Sequence, residues 1–151
     1  MTIDQLLLDD ISDELAGGSL NYGVFLKAYT VVLAEPLQST EIVSTALGGG
    51  AIAIDFAEIS SDSVIEMVKC CLLYAGDDAA GPSKETLESD VLTGMLEKLV
   101  SDLRLTISHA IKVERFTLEE GHPFYPVFWD FAFLFRAASE ATIFIIGASS
   151  D

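Results

Sequence analysis

Between Phe124 and Phe135 the chain reads FYPVFWDFAFLF, an aromatic stretch that is apolar in both phases of a two-residue alternation. Phe128 falls in one phase, and Trp129, Phe131, Phe133 and Phe135 fall in the other. A strand with one wet face alternates, whereas a strand apolar in both phases must be covered on both sides. The stretch therefore predicts a central strand over about 127–136, with a second strand over 141–147. Ala137 to Glu140 is short enough to join them as a hairpin.

Helical spacing dominates the earlier part of the chain. Ile3, Leu6, Leu7, Ile11 and Leu15 recur at intervals of three and four, with Thr2 as the expected N-cap and Gly17-Gly18 as the stop. Residues 20–34 are apolar throughout, so periodicity leaves helix and strand open there. A short helix is expected from Ser39 to Leu47 and a strand over 51–56. Two further helices are predicted. The first is capped by Ser61 or Asp62 and runs to about Tyr74; the second is capped by Ser83 and runs over 84–101 with Leu87, Val91, Met95 and Leu99 inward. From Leu103 to Val113 apolar and polar residues alternate, which reads as a strand; the competing reading extends the preceding helix to about Ala110. Helices first and antiparallel strands last make an α+β class, with N-terminal helices packed on a sheet formed mainly by the C-terminal half. The length of 151 residues fits a single domain spanning 1–151.

Charge is superimposed on this pattern. The chain carries 24 Asp and Glu against 8 Lys and Arg, net -16, yet half its residues are apolar and its mean hydropathy is +0.43. Disorder requires low hydrophobicity together with high charge, so this chain should fold. Residues 1–83 hold 13 acids and 2 bases, and residues 84–151 hold 11 and 6. Such a field repels nucleic acid and anionic membranes and attracts basic proteins. The apolar excess predicts a homodimer or a partner-binding patch. Met1-Thr2-Ile3-Asp4 lacks the basic start of a signal peptide, which predicts a cytoplasmic product.

Motifs for chemistry are sparse. Gly48-Gly49-Gly50 lacks the lysine and helix of a phosphate loop, and no cofactor is assigned. Adjacent Cys70 and Cys71 suit neither a structural disulfide nor a C-x-x-C site and read as buried free thiols. His109 falls in the apolar phase of the expected 103–113 strand, as a core histidine. His122, beside Glu119 and Glu120, sits in an expected turn. A small enzyme or metal-dependent hydrolase would use His109 or His122 with such carboxylates. Asp130, if buried, requires a partner such as Arg136 or Arg104.

The run Phe56-Ala57-Glu58-Ile59-Ser60-Ser61-Asp62-Ser63-Val64 resembles the acyl carrier protein attachment motif, F-x-x-L-G-x-D-S-L. The resemblance covers nine residues and implies phosphopantetheine on Ser63 and an acidic surface for basic partner enzymes. Ser60 stands where that family has glycine, and a capped helix produces the same pattern.

The leading expectation is a non-enzymatic acidic module that binds a basic protein, in its most concrete form an immunity protein or inhibitor neutralising a basic toxin or effector. Asp9, Asp10, Asp13 and Glu14 are the acidic candidates, with Tyr125 and Trp129 as aromatic anchors.

Overall fold

The cover that the aromatic strand requires is visible in the computed structural model, which describes residues 3–17, 22–73, 84–121 and 129–150. The elements run α1 (Gln5–Ala16), β1 (Tyr22–Val32), α2 (Ser39–Leu47), β2 (Ile52–Glu58), α3 (Ser61–Leu72), α4 (Lys84–Leu87), α5 (Asp90–His109), β3 (Lys112–Glu120), β4 (Trp129–Arg136) and β5 (Glu140–Ser150). Among the described residues the strands form one antiparallel sheet in the order β1-β5-β4-β3-β2. The chain lays down one edge as β1, crosses the sheet through α2, and lays down the other edge as β2. After α3, α4 and α5, the meander β3-β4-β5 fills the space between those edges.

Each face has its own core. On one face, Val24, Leu26, Phe133, Phe135, Phe144 and Ile146 pack against buried residues of α1, α3 and α5. On the other, Val31, Phe116, Leu118, Leu134, Ile143 and Ile145 pack against Ile42 and Val43 of α2. β4 and β5 are therefore apolar in both phases because each phase meets a different helical layer. Phe133 is the centre of the first layer, stacked on Phe135 at 6.3 Å and on Phe144 at 6.4 Å. Burying one such side chain contributes about 1.5–3 kcal/mol.

The apolar run at 20–34 resolves as β1. Val24 and Leu26 enter one core, while Phe25, Tyr29 and Val31 enter the other, so cover on two faces erases the alternation. α2 occupies its expected span, and Gly48 ends it with φ +97. β2, at the far edge, carries a bulge at Asp55, which has φ 59, and its register with β3 shifts between Ile54 and Ala57. A bulge of this kind twists an edge away from further strand pairing.

Three expectations are corrected. The segment 103–109 is the last part of α5, and β3 begins only at Lys112. The reason is a continuous three-and-four spacing, Leu92, Leu96, Leu99, Leu103 and Thr106, all buried on one side of α5; the alternation of Leu103, Leu105 and Ile107 coincided with it. The 84–101 helix is instead the short α4 followed by α5, newly capped by Ser89, whose side chain accepts from Leu92 N at 3.0 Å. Starting at Asp90 turns Val91 outward, where it is 62% exposed. The caps also move: α1 is capped by Asp4, which accepts from Leu6 N at 3.0 Å, and α3 by Ser60. Thr2 and Ser83 lie outside the described residues.

Two glycines separate backbone need from backbone cost. Gly121 closes β3 with φ +77, and a Cβ there would come within 2.5 Å of Ala51 Cα. Gly94 lies inside α5, and a Cβ added there would meet nothing within 4 Å. We expect Gly94→Ala to raise unfolding stability by about 0.4–1 kcal/mol and Gly121→Ala to lower it by about 1–3 kcal/mol, as read by urea denaturation.

Candidate functional site

The acidic face of α1 is set by how the helix meets the sheet. Leu7, Leu8, Ile11 and Leu15 are buried, which turns Leu6, Asp9, Asp10 and Asp13 outward. The helix is oriented further by polar side chains along the outer edge of β1. Gln5 Nε2 donates to Leu26 O at 3.0 Å, Gln5 Oε1 accepts from Ala28 N at 3.1 Å, and Ser12 Oγ donates to Val24 O. These side chains satisfy edge groups that a neighbouring strand would otherwise take. Gln5 Nε2 also donates to Asp9 Oδ1 at 2.8 Å, linking the edge contact to the acidic face.

Of the residues read as partner-binding, Asp9, Asp10 and Asp13 are brought together on that exposed face, and Glu14 lies beside them half-buried. Leu6 stands among them at 73% exposure. Tyr125 and the side chain of Trp129 lie outside the described residues, as does His122.

His109 is corrected from a core strand residue to an exposed residue in the last turn of α5, because the helix persists to that point. Glu119 and Glu120 are exposed at the end of β3, not in a turn. Among the described residues no group of three or more His, Cys, Asp or Glu side chains is arranged to hold a metal ion. Asp130 is half-buried on β4; Arg136 donates to Ser39, and Arg104 lies 4.0 Å from Asp62. Ser63 is exposed in the first turn of α3, where its backbone N–H donates to Ser60 Oγ at 3.2 Å and Ser60 Oγ donates to its hydroxyl at 2.8 Å. The nine carrier-like residues thus form the end of β2 and the N-cap of a helix packed on a sheet, which is not the four-helix frame of an acyl carrier.

The cysteines divide. Cys71 is buried, and burial, with Cys70 beside it, pushes its thiol up to about 12 against the opposing effect of Arg115. Cys70 is corrected to an exposed position, its thiol 3.7 Å from Glu66 Oε1.

A polar cluster that the sequence reading missed lies at the start of α2. Glu114 is only 5% exposed and accepts from Ser39 Oγ at 2.6 Å. The same hydroxyl accepts from Arg136 Nη2 at 2.9 Å, and Lys112 Nζ stands 3.8 Å from Glu114 Oε2. Glu114 shares an inward phase with Phe116 and Leu118 on β3, so an acid within an apolar phase was the available signal. Placing the strand at 103–113 hid it.

Ser39→Ala removes the hydroxyl that joins Glu114 to Arg136. We expect a loss of about 1–3 kcal/mol in denaturant unfolding, because the buried carboxylate loses its nearest donor. Native thiol labelling with a maleimide should modify Cys70 rapidly and Cys71 only after unfolding, which mass spectrometry of the intact and denatured protein reads directly.

No protein-family model matches the sequence, and no curated protein matches it. The structure is similar to two crystal structures of citrus MAF1. One has a TM-score of 0.53 at 14% identity, covering 95% of this chain and 97% of that one. The other has a TM-score of 0.52 at 13% identity, covering 95% and 98%. At these identities the likeness is one of fold.

Proposed function

We propose that this chain is a non-enzymatic acidic module that binds a basic protein through the outer face of α1. The observation that carries this reading is the grouping of Asp9, Asp10 and Asp13 around exposed Leu6, on a helix whose other face is locked into the core. No basic residue lies within α1. A fixed array of like charges accelerates encounter with a cationic surface and selects against anionic ones. An apolar side chain among those charges offers area that loses water on docking. The finer form of the reading is an inhibitor or immunity protein that covers the nucleic-acid-binding surface of a basic effector.

The test is a pull-down with quantitative mass spectrometry, comparing the native protein with the triple variant Asp9→Asn, Asp10→Asn, Asp13→Asn. A recovered partner of basic character should be lost with the triple variant. Its affinity should fall by about tenfold or more between low and physiological salt, as expected when exposed charges drive association. Partners that are neutral or acidic, or binding unchanged in the triple variant, would overturn the reading.

A further inference from the structure

A cleft of about 280 Å³ opens beside the Ser39–Glu114–Arg136 cluster, on different elements from the α1 face. Its walls include Leu33, Pro36, Leu37 and Ile111, with Arg136 in the lining and Glu35 also present. The walls are tied together by backbone: Leu33 N donates to Ser139 O at 2.8 Å, and Ile111 N donates to Arg136 O at 2.7 Å. A cleft whose loops are held in this way needs little ordering to receive a ligand.

The electrostatics of the cluster are unusual for this chain. Lys112 stands against the buried carboxylate of Glu114, while Arg136 reaches that carboxylate only through the Ser39 hydroxyl, in a protein of net charge -16. Arg136 is half-buried, and its Nη2 donates to a neutral hydroxyl. Its Nε is buried and meets no acceptor among the described residues. A half-buried arginine matched to a hydroxyl retains capacity for an anion, and its planar fork suits a carboxylate.

We propose that this cleft binds a small organic carboxylate, its charged group on Arg136 and a short aliphatic tail against Leu33, Leu37 and Ile111. The apolar walls favour a ligand with a hydrocarbon part over a bare inorganic anion. Glu35 and the negative field of the whole chain select a single charge over a dianion. This site is independent of the acidic α1 face, and each reading can fail without the other.

Titration of the nitrogen-15-labelled protein with butanoate, butylammonium and inorganic phosphate, followed by amide chemical shifts, tests it. Butanoate should give saturable shifts centred on Leu33, Leu37, Ile111 and Ala137. Butylammonium should leave those amides unmoved, and phosphate should bind at least tenfold more weakly. Arg136→Lys keeps the charge but loses the fork and should raise the butanoate Kd about tenfold. Ile111→Glu alters a side chain that is 74% exposed, so the fold is preserved while the rim becomes anionic, and the Kd should rise several-fold. Non-saturating shifts, equal response to butylammonium, or a Kd unchanged in Ile111→Glu would overturn the proposal.

Discussion

Everything in this fold depends on β5 finding its place between β1 and β4. β1 and β2 are laid down early at opposite edges, and β1 joins the rest of the sheet only when the last strand arrives. β5 pairs with β1 from Tyr22↔Ser150 to Val32↔Glu140 and with β4 from Trp129↔Ala148 to Arg136↔Ala141. Ile143 and Ile145 then complete one core, while Phe144 and Ile146 complete the other. Neither helical layer has a finished surface to pack on before that pairing forms. Such non-local closure must offset its loop entropy before contacts reward it, which favours slow, cooperative folding.

The same closure explains why a strongly acidic chain can be half apolar. Two helical layers on one sheet consume apolar residues in both phases of the central strands, leaving the outer helix faces to carry charge. Asp9, Asp10 and Asp13 cost no desolvation where they stand. Glu114 is the counterexample, buried in an apolar phase and sustained by Ser39 and Lys112. Ser39, in the first turn of α2, bonds both Glu114 of β3 and Arg136 at the end of β4 and so ties the crossover helix to those strands. A buried carboxylate at this junction favours one docking of α2, since a slip would remove Ser39, its nearest donor, and leave it with Lys112 of its own strand.

How far the sequence disclosed this depended on whether a signal was local. The α+β class, the span of α2 and the strands near 129–136 and 140–150 follow from composition and alternation within a few residues. α5 did not, because Leu103, Leu105 and Ile107 fit two periods at once. Only the longer register from Leu92 to Thr106 distinguishes them, and it is the burial of that face that decides. His109 was then misplaced by consequence, and the inward phase of Glu114 was hidden. The acidic face of α1 was legible because helical spacing fixes it, whereas the contact of Gln5 with β1 was not. A glutamine in a helix gives no local sign that it will serve a strand edge.

That edge contact bears directly on how a partner can approach. Exposed strand edges invite non-selective pairing, and this sheet restricts both: β1 through Gln5 and Ser12 of α1, β2 through the bulge at Asp55. With backbone pairing restricted there, the partner binding proposed for this chain falls to side-chain chemistry. The element that shields β1 is the one that carries the acidic array, so its outer face is displayed at the sheet's margin on a helix clamped from below. Fixing the array reduces the ordering cost of docking and makes its selectivity a property of charge geometry. The α1 face and the Arg136 cleft therefore present opposite signs on separate elements of one scaffold, exposed carboxylates on one and a half-buried arginine on the other.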